Sequence, residues 1–131
     1  MSATETVQLG PIGQIAVNVK ELERAVKFYR DTLGMRFLFE APPQMAFFDC
    51  GGVRLMLGVA SEPAFDHAAS IIYYRVDDIR AAHRTLARRG ASFTRPPHFV
   101  AKLPDYDLWL AFLQDSEGNV LALMSEVRPP C

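Results

Sequence analysis

His98 lies in the part of the chain best suited to acid–base chemistry. The chain has three histidines, and an imidazole can donate or accept a proton near neutral pH. Asp105 and Asp107 follow in the same segment, and either carboxylate could orient the ring. We therefore predict His98 and Asp107 as candidate catalytic residues. The alternative is an exposed histidine in a proline-bounded surface loop.

The segment around His98 also carries aromatic side chains. Its sequence is PPHFVAKLPDYDLW, Pro96 to Trp109, and its prolines and polar residues predict a long loop. Tyr106 and Trp109 could stack on a planar molecule, so we predict both as ligand contacts. The other candidates for chemistry are weaker. His83 falls on the apolar stripe of a helix, His67 lies in a linker, and Cys50 lacks a neighbouring histidine signature.

An internal repeat supplies the elements that position these groups. Residues 14–34 align with residues 71–90, provided that one residue of the first copy is skipped before Gly34 meets Gly90. Each copy begins with a short apolar run typical of a strand, changes to helical spacing, and continues with three further strand-like runs. We predict an α+β fold of two βαβββ modules. The single domain, residues 1–131, comprises module one (about 11–60), a linker (about 61–69) and module two (about 70–126).

Composition excludes several classes of function. The formal net charge is −1 with both signs scattered, so no basic surface for nucleic acid is expected. Apolar runs such as Leu108–Leu113 are too short to cross a membrane, and the N-terminus lacks the pattern of a signal peptide. With only Cys50 and Cys131, no disulfide framework is expected either. These features predict a cytoplasmic protein without nucleic-acid or membrane partners.

Three stretches carry a resemblance to a known family. They are IAVNVKELERAVKFYRDTLGMRF, IYYRVDDI and FLQDSEGNVLALMSE, within residues 11–126. Together they resemble the vicinal oxygen chelate superfamily, which includes glyoxalase I, bleomycin-resistance proteins and extradiol dioxygenases. The resemblance implies paired βαβββ modules, a cupped mixed sheet that holds the site, helices on the outer faces, and a homodimer.

The resemblance also implies where a metal would bind. Metalloenzymes of the superfamily place His, Glu or Gln ligands on the first and last strands of each module. The matching positions here are Gln14, Met56, Ile71 and Ala122, and a shift of one residue in either direction restores no ligand set. One amide, one thioether and two hydrocarbons do not suit a hard divalent cation. We therefore predict neither a metal nor another cofactor.

Strand alternation then predicts a largely apolar cup for a small organic ligand. Its predicted lining is Gln14, Ala16, Arg54, Met56, Ile71, Tyr73, Arg75, Ala122 and Met124. Arg54 and Arg75 would attract a carboxylate or phosphate if they lie at the rim, and would otherwise sit in water at strand ends. The favoured hypothesis is a metal-free binder of the bleomycin-resistance type. The alternatives are a lyase, isomerase or dioxygenase-like enzyme with relocated groups around Gln14 and His98, or an interaction module whose cup is filled.

Overall fold

A computed structural model describes residues 7–61 and 66–128. Module one contains β1 (Gln14–Asn18), α1 (Leu22–Lys27), a π-helical turn (Phe28–Thr32), β2 (Arg36–Ala41), β3 (Met45–Cys50) and β4 (Val53–Gly58). Module two contains β5 (Ile72–Arg75), α2 (Ile79–Arg88), β6 (Ser92–Lys102), β7 (Asp107–Gln114) and β8 (Val120–Val127). None of the helices among these residues is long and apolar enough to cross a membrane.

The strands form two four-stranded mixed sheets with the same topology. Their orders are β1-β4-β3-β2 and β5-β8-β7-β6. In each sheet the first strand pairs in parallel with the last, and the other pairs are antiparallel. The two βαβββ modules and the α+β class are thus confirmed. Hydrogen bonding within the described residues yields two separate sheets rather than one.

Each sheet has one face packed under its own helix. In module one, Val26 and Tyr29 pack with Phe48 and Leu57 in a buried cluster. In module two, Leu86 packs with Leu113 and with other apolar residues of α2, β7 and β8. Because strand side chains alternate, the intervening residues point to the opposite face. We call that opposite face of each sheet the cup face.

Strand pairing supports the alignment of the two modules. Ala16 pairs with Met56 in module one, and Tyr73 pairs with Ala122 in module two. The sequence predicts this correspondence, since aligning the turn Asp49–Gly52 with the turn Asp115–Gly118 matches Met56 with Ala122. Asp78 caps α2 by accepting a hydrogen bond from the Ala81 N–H at 3.1 Å.

The residue skipped in the repeat alignment has a structural counterpart. Both helices begin at matched positions, Leu22 and Ile79. Module one then accommodates its extra residue through the π-helical turn, where the Leu33 N–H donates to the Phe28 carbonyl at 3.0 Å. A π-bulge is the usual form of a one-residue insertion in a helix. Both modules still end the helical region at a glycine with positive φ, Gly34 (74°) and Gly90 (94°).

The predicted loop over Pro96–Trp109 is wrong. Most of this segment belongs to β6 and β7, and only residues 103–106 connect the two strands. β6 is an edge strand whose pairing with β7 shifts register between Arg95 and His98. Proline lacks an N–H for the ladder but is tolerated at edges and bulges, so Pro96 and Pro97 do not end the strand.

The turn before β8 joins module two to α1 of module one. Asp115, which is buried, accepts hydrogen bonds from the Tyr29 hydroxyl at 2.8 Å and from the Asn119 N–H at 2.9 Å. Glu117 accepts from Arg24 Nε at 2.7 Å and from the N–H groups of residues 20 and 21 at 2.9 Å each. Arg24 and then the backbone donors lower the pKa of Glu117 to about 2, against the effect of its burial.

Candidate functional site

The cup face of module one carries a connected group of side chains. Arg54 Nε donates to Gln14 Oε1 at 3.0 Å, and Gln14 Nε2 lies 3.8 Å from Met56 Sδ. The Arg54 guanidinium sits 5.7 Å from the centre of the Phe47 ring, which stacks on Phe39 at 4.7 Å. The structure therefore brings together three predicted contacts, Gln14, Arg54 and Met56. Arg54 is exposed, and its guanidinium lies against these neighbours on the cup face.

These contacts bear on the metal that the superfamily implies. The only oxygen donor at the four matched positions is Gln14 Oε1, and it already accepts from the cationic Arg54. A positive charge hydrogen-bonded to the only hard donor disfavours a second cation there. Ile71 and Ala122 offer no donor atom in their side chains. Across the described residues, no group of three or more His, Cys, Asp or Glu side chains is arranged to hold a metal ion. The side chains at the four matched positions therefore do not fit the divalent metal ion that the superfamily implies.

Module two presents an aromatic cup face. Phe112 and Tyr73 flank Ala122 in the strand register, and their rings meet edge to face at 6.1 Å. The His98 ring lies nearly parallel to Phe112, at 6.3 Å and 26°. Ala122 is 0% exposed, whereas Tyr73 is 46% exposed. The small side chain at position 122 thus lies beneath larger neighbours, and Tyr73 leaves aromatic surface open to a planar molecule.

The predicted pairing of His98 with Asp107 is not formed. His98 Nδ1 lies 2.8 Å from the Pro96 carbonyl oxygen, which orients the ring through the backbone. Asp107 instead pairs with Lys102 across the strands, with the carboxylate 3.7 Å from Lys102 Nζ. The prediction assumed one flexible loop, but the extended strands hold the two side chains at different registers. A catalytic role for His98 or for Asp107 stays a prediction.

Trp109, predicted as a stacking contact for a planar ligand, does not lie on a cup face. It packs with the core beneath α2, and Arg80 of α2 lies 5.1 Å from its ring centre. Its side chain lies on the same face of β7 as those of Ala111 and Leu113, which are buried under the helix. Tyr106 lies in the β6–β7 connection, where Arg128 covers its ring at 5.6 Å. A ligand role for Tyr106 therefore requires displacement of that guanidinium.

The remaining predicted contacts lie along β5 and β8. Ile71 just precedes β5 and is exposed, while Met124 is partly buried and pairs with Arg75. Arg75 Nη2 is 3.7 Å from Glu126 Oε2, and its side chain is mostly exposed. Arg75 is the last residue of β5, and its ion pair with Glu126 is a weak surface pair. This agrees with the alternative prediction that Arg75 sits in water at a strand end.

Three aromatic cup-face residues, Phe39, Phe47 and Phe112, were not predicted from the sequence. Phe112 touches both Tyr73 and His98, and Phe47 underlies Arg54. Alternation on β3 could have identified Phe47 once its neighbours Ala46 and Phe48 were assigned to the core. The run Leu108–Leu113 is apolar at every position, so its sequence does not reveal which residues face the cup.

A cavity of about 320 Å³ opens beside the cup face of module one. Its described lining includes Ala16, Asn18 and Met56 from the strands and His67 from the linker. Asn18 Nδ2 donates to the His67 carbonyl at 2.7 Å, which fixes the linker against β1. The volume is at the lower end of the range of small-molecule pockets, roughly 300–1,000 Å³.

Comparison with known proteins defines the family. A sequence model of the Glyoxalase/Bleomycin resistance protein/Dioxygenase superfamily matches residues 11–123, so the chain belongs to this superfamily. A glyoxylase-like domain-containing protein of Didymella fabae is 27% identical, and the match covers 87% of this chain and 92% of that protein.

Solved structures share the fold. A member of the same superfamily from Sphaerobacter thermophilus DSM 20745 has a TM-score of 0.73 at 24% identity, covering 90% of this chain and 98% of that one. A lactoylglutathione lyase of Agrobacterium tumefaciens gives 0.67 at 21% identity, with 89% and 94% covered. TioX from Micromonospora sp. ML1 gives 0.71 at 20% identity, with 90% and 100% covered. At these identities the likeness establishes architecture alone.

Proposed function

We propose that this protein binds a planar organic molecule on its cup face without a resident metal ion. The observation that carries the proposal is the set of side chains at the four positions matched to metal ligands. They are one amide, one thioether and two hydrocarbons, and aromatic rings lie beside Ala122. In module two, the exposed ring of Tyr73 and the rings of Phe112 and His98 surround the methyl group of Ala122. A planar ligand would gain dispersion and stacking energy there, as aromatic pairs do in proteins.

The positive charge of Arg54 in module one favours a ligand that carries a negative charge. Arg54 is held by Gln14 and Phe47 at the place where a metal would require oxygen or nitrogen donors. A fixed guanidinium attracts a carboxylate or another oxyanion more strongly than a mobile side chain does. The preferred ligand is therefore a planar, largely apolar molecule that carries one anionic group. Asp49, opposite Arg54 in the strand register, reduces this attraction.

The proposed assembly is a homodimer. Phe39, Ile71 and Tyr73 expose large apolar surfaces on the sides of the sheets turned away from the helices. Exposed apolar patches on a folded domain commonly mark a ligand-binding or protein–protein surface. In this proposal a second copy covers the cup face and encloses the ligand. Sedimentation equilibrium of the wild type tests it, and a monomer at micromolar concentration contradicts it.

Titration calorimetry with 2-naphthoate tests the binding proposal. Tyr73→Ala and Phe112→Ala should each weaken binding about tenfold, the effect of losing roughly 1.4 kcal/mol of stacking. Arg54→Met should weaken 2-naphthoate more than it weakens the uncharged 2-naphthol. Trp109→Phe, an aromatic change on the opposite face of β7, is the matched control and should leave both affinities unchanged.

The role of metal is tested in the same assay. Excess EDTA should not alter the affinity for 2-naphthoate, and added Zn²⁺ or Mn²⁺ should not raise it. Loss of binding in EDTA that returns with one of these ions would contradict metal-free binding. Wild-type affinity in both alanine variants would contradict the assigned cup face.

A further inference from the structure

A second cavity, of about 370 Å³, lies on the helix side of module two, away from its cup face. Ala81, Ala82, Thr85 and Leu86 of α2 form one wall, and strand residues that include Tyr74 form another. Leu33 and Met35 reach it from module one. None of the described residues that line it is charged. The cavity opens to solvent beside Thr85, which is exposed, and its volume is at the lower end of the range of small-molecule pockets, roughly 300–1,000 Å³.

The internal repeat explains why space remains here. Because α1 and α2 begin at matched positions, Phe28 corresponds to Thr85 and Tyr29 corresponds to Leu86. In module one the two rings pack edge to face at 5.6 Å, and Tyr29 is 2% exposed. Module two thus has a hydroxyethyl group and an isobutyl group where module one has two aromatic rings. The smaller side chains at these two positions leave the space between α2 and the sheet less filled than in module one.

Tyr74 and Thr85 are the polar residues among those that line the cavity, and Tyr74 is the less exposed of the two. No residue in the described ranges forms a hydrogen bond with the Tyr74 hydroxyl, and its burial raises the pKa of Tyr74, so the hydroxyl stays protonated. A protonated phenol in an apolar wall favours a ligand with one hydrogen-bonding group and disfavours an ion.

We propose that this cavity is a binding site for a small uncharged aromatic molecule carrying one hydrogen-bonding group. The ligand's ring would occupy the space that Phe28 and Tyr29 fill in module one, and its polar group would meet Tyr74. The site is separate from the cup face and does not depend on the proposed function.

Nuclear magnetic resonance titrations with p-cresol and toluene test the site. Both probes should give saturable amide shifts at Ala81, Ala82 and Leu86. Thr85→Phe restores the aromatic residue found at the matching position of module one and should abolish both sets of shifts. Arg84→Phe, which adds the same ring on the exposed side of α2, should leave both unchanged. Tyr74→Phe should weaken p-cresol about threefold to tenfold and toluene little.

Three results would overturn the proposal. They are the absence of saturable shifts from both probes in the wild type, shifts confined to cup-face residues such as Tyr73 and Phe112, and unchanged binding to folded Thr85→Phe. If Thr85→Phe lacks a cooperative unfolding transition, Ala82→Leu serves as a second cavity-filling variant. Retained p-cresol and toluene binding in folded Ala82→Leu would equally refute the assignment. Binding of 2-naphthoate at the cup face is measured separately from binding of p-cresol and toluene in this cavity. The experiments can therefore refute either proposed site without refuting the other.

Discussion

Acid should weaken the attachment of module two to α1 through Glu117. The pKa of this carboxylate falls from an ordinary 4.5 to about 2 in the folded protein, chiefly because Arg24 donates to it. A carboxylate with a lowered folded-state pKa adds stability above its unfolded pKa and loses it as the pH falls toward the folded value. At about 1.36 kcal/mol per pKa unit, the ceiling is about 3 kcal/mol. Arg24 is 48% exposed, and solvent screening reduces the expected contribution to about 1–2 kcal/mol.

Glu117→Gln isolates this contribution because it removes the charge and keeps the shape. Urea unfolding should show the variant about 1–2 kcal/mol less stable at pH 7, with the difference shrinking as the pH falls below 4.5, to about a quarter of its pH 7 value at pH 2.5. Comparing the variant with wild type at each pH cancels the titration of other carboxylates. Glu23→Gln, on the exposed first turn of α1, is the control and should stay within about 0.5 kcal/mol. A Glu117→Gln deficit that is equal at pH 7 and pH 2.5 would refute the reasoning.

Three further substitutions test the packing around the site by urea unfolding. Tyr29→Phe removes the buried hydrogen bond to Asp115 and should cost about 1–2 kcal/mol at pH 7; no loss would show that the bond contributes nothing. Gly118→Ala places a methyl at φ 86° and should cost about 1–2 kcal/mol, whereas Gly13→Ala, without such a φ, should cost less. Ala122→Glu buries a carboxylate at a fully covered position, so it should cost more than about 2 kcal/mol, and added Zn²⁺ should not recover it; recovery would mean that a metal site forms.

The sequence is most informative where local pattern and fold agree. The strand and helix spacings of the two repeat copies predict both modules, because alternation of period 2 and period 3.6 directly reflects one-sided burial. Aligning the turns that precede the last strand of each module predicts the equivalence of Met56 and Ala122, and strand pairing confirms it. The side-chain contacts of Gln14 with Arg54 and Met56 follow from that register.

Prediction from the sequence fails where the hydrophobic alternation is absent or where the position of a strand in its sheet is unknown. The run Leu108–Leu113 is apolar on both faces, so the residues facing the cup cannot be separated from those facing the helix, and the sequence does not identify Phe112 as a cup-face residue. The prolines at 96 and 97 suggested a loop because sequence alone does not show that β6 is an edge strand with an irregular register. The hydrogen bonds of Asp115 and Glu117 join the two modules. Local sequence patterns do not predict contacts between residues so far apart in the chain.

The turn before β8 links the architecture to the character of the site. Its buried carboxylates fix module two against α1 and thereby set where β8 begins. Four residues after Gly118, β8 places Ala122 between Tyr73 and Phe112. A metal-ligating carboxylate at that position would extend into the space where these two rings now meet. The aromatic cup face proposed for module two therefore favours a small side chain at position 122.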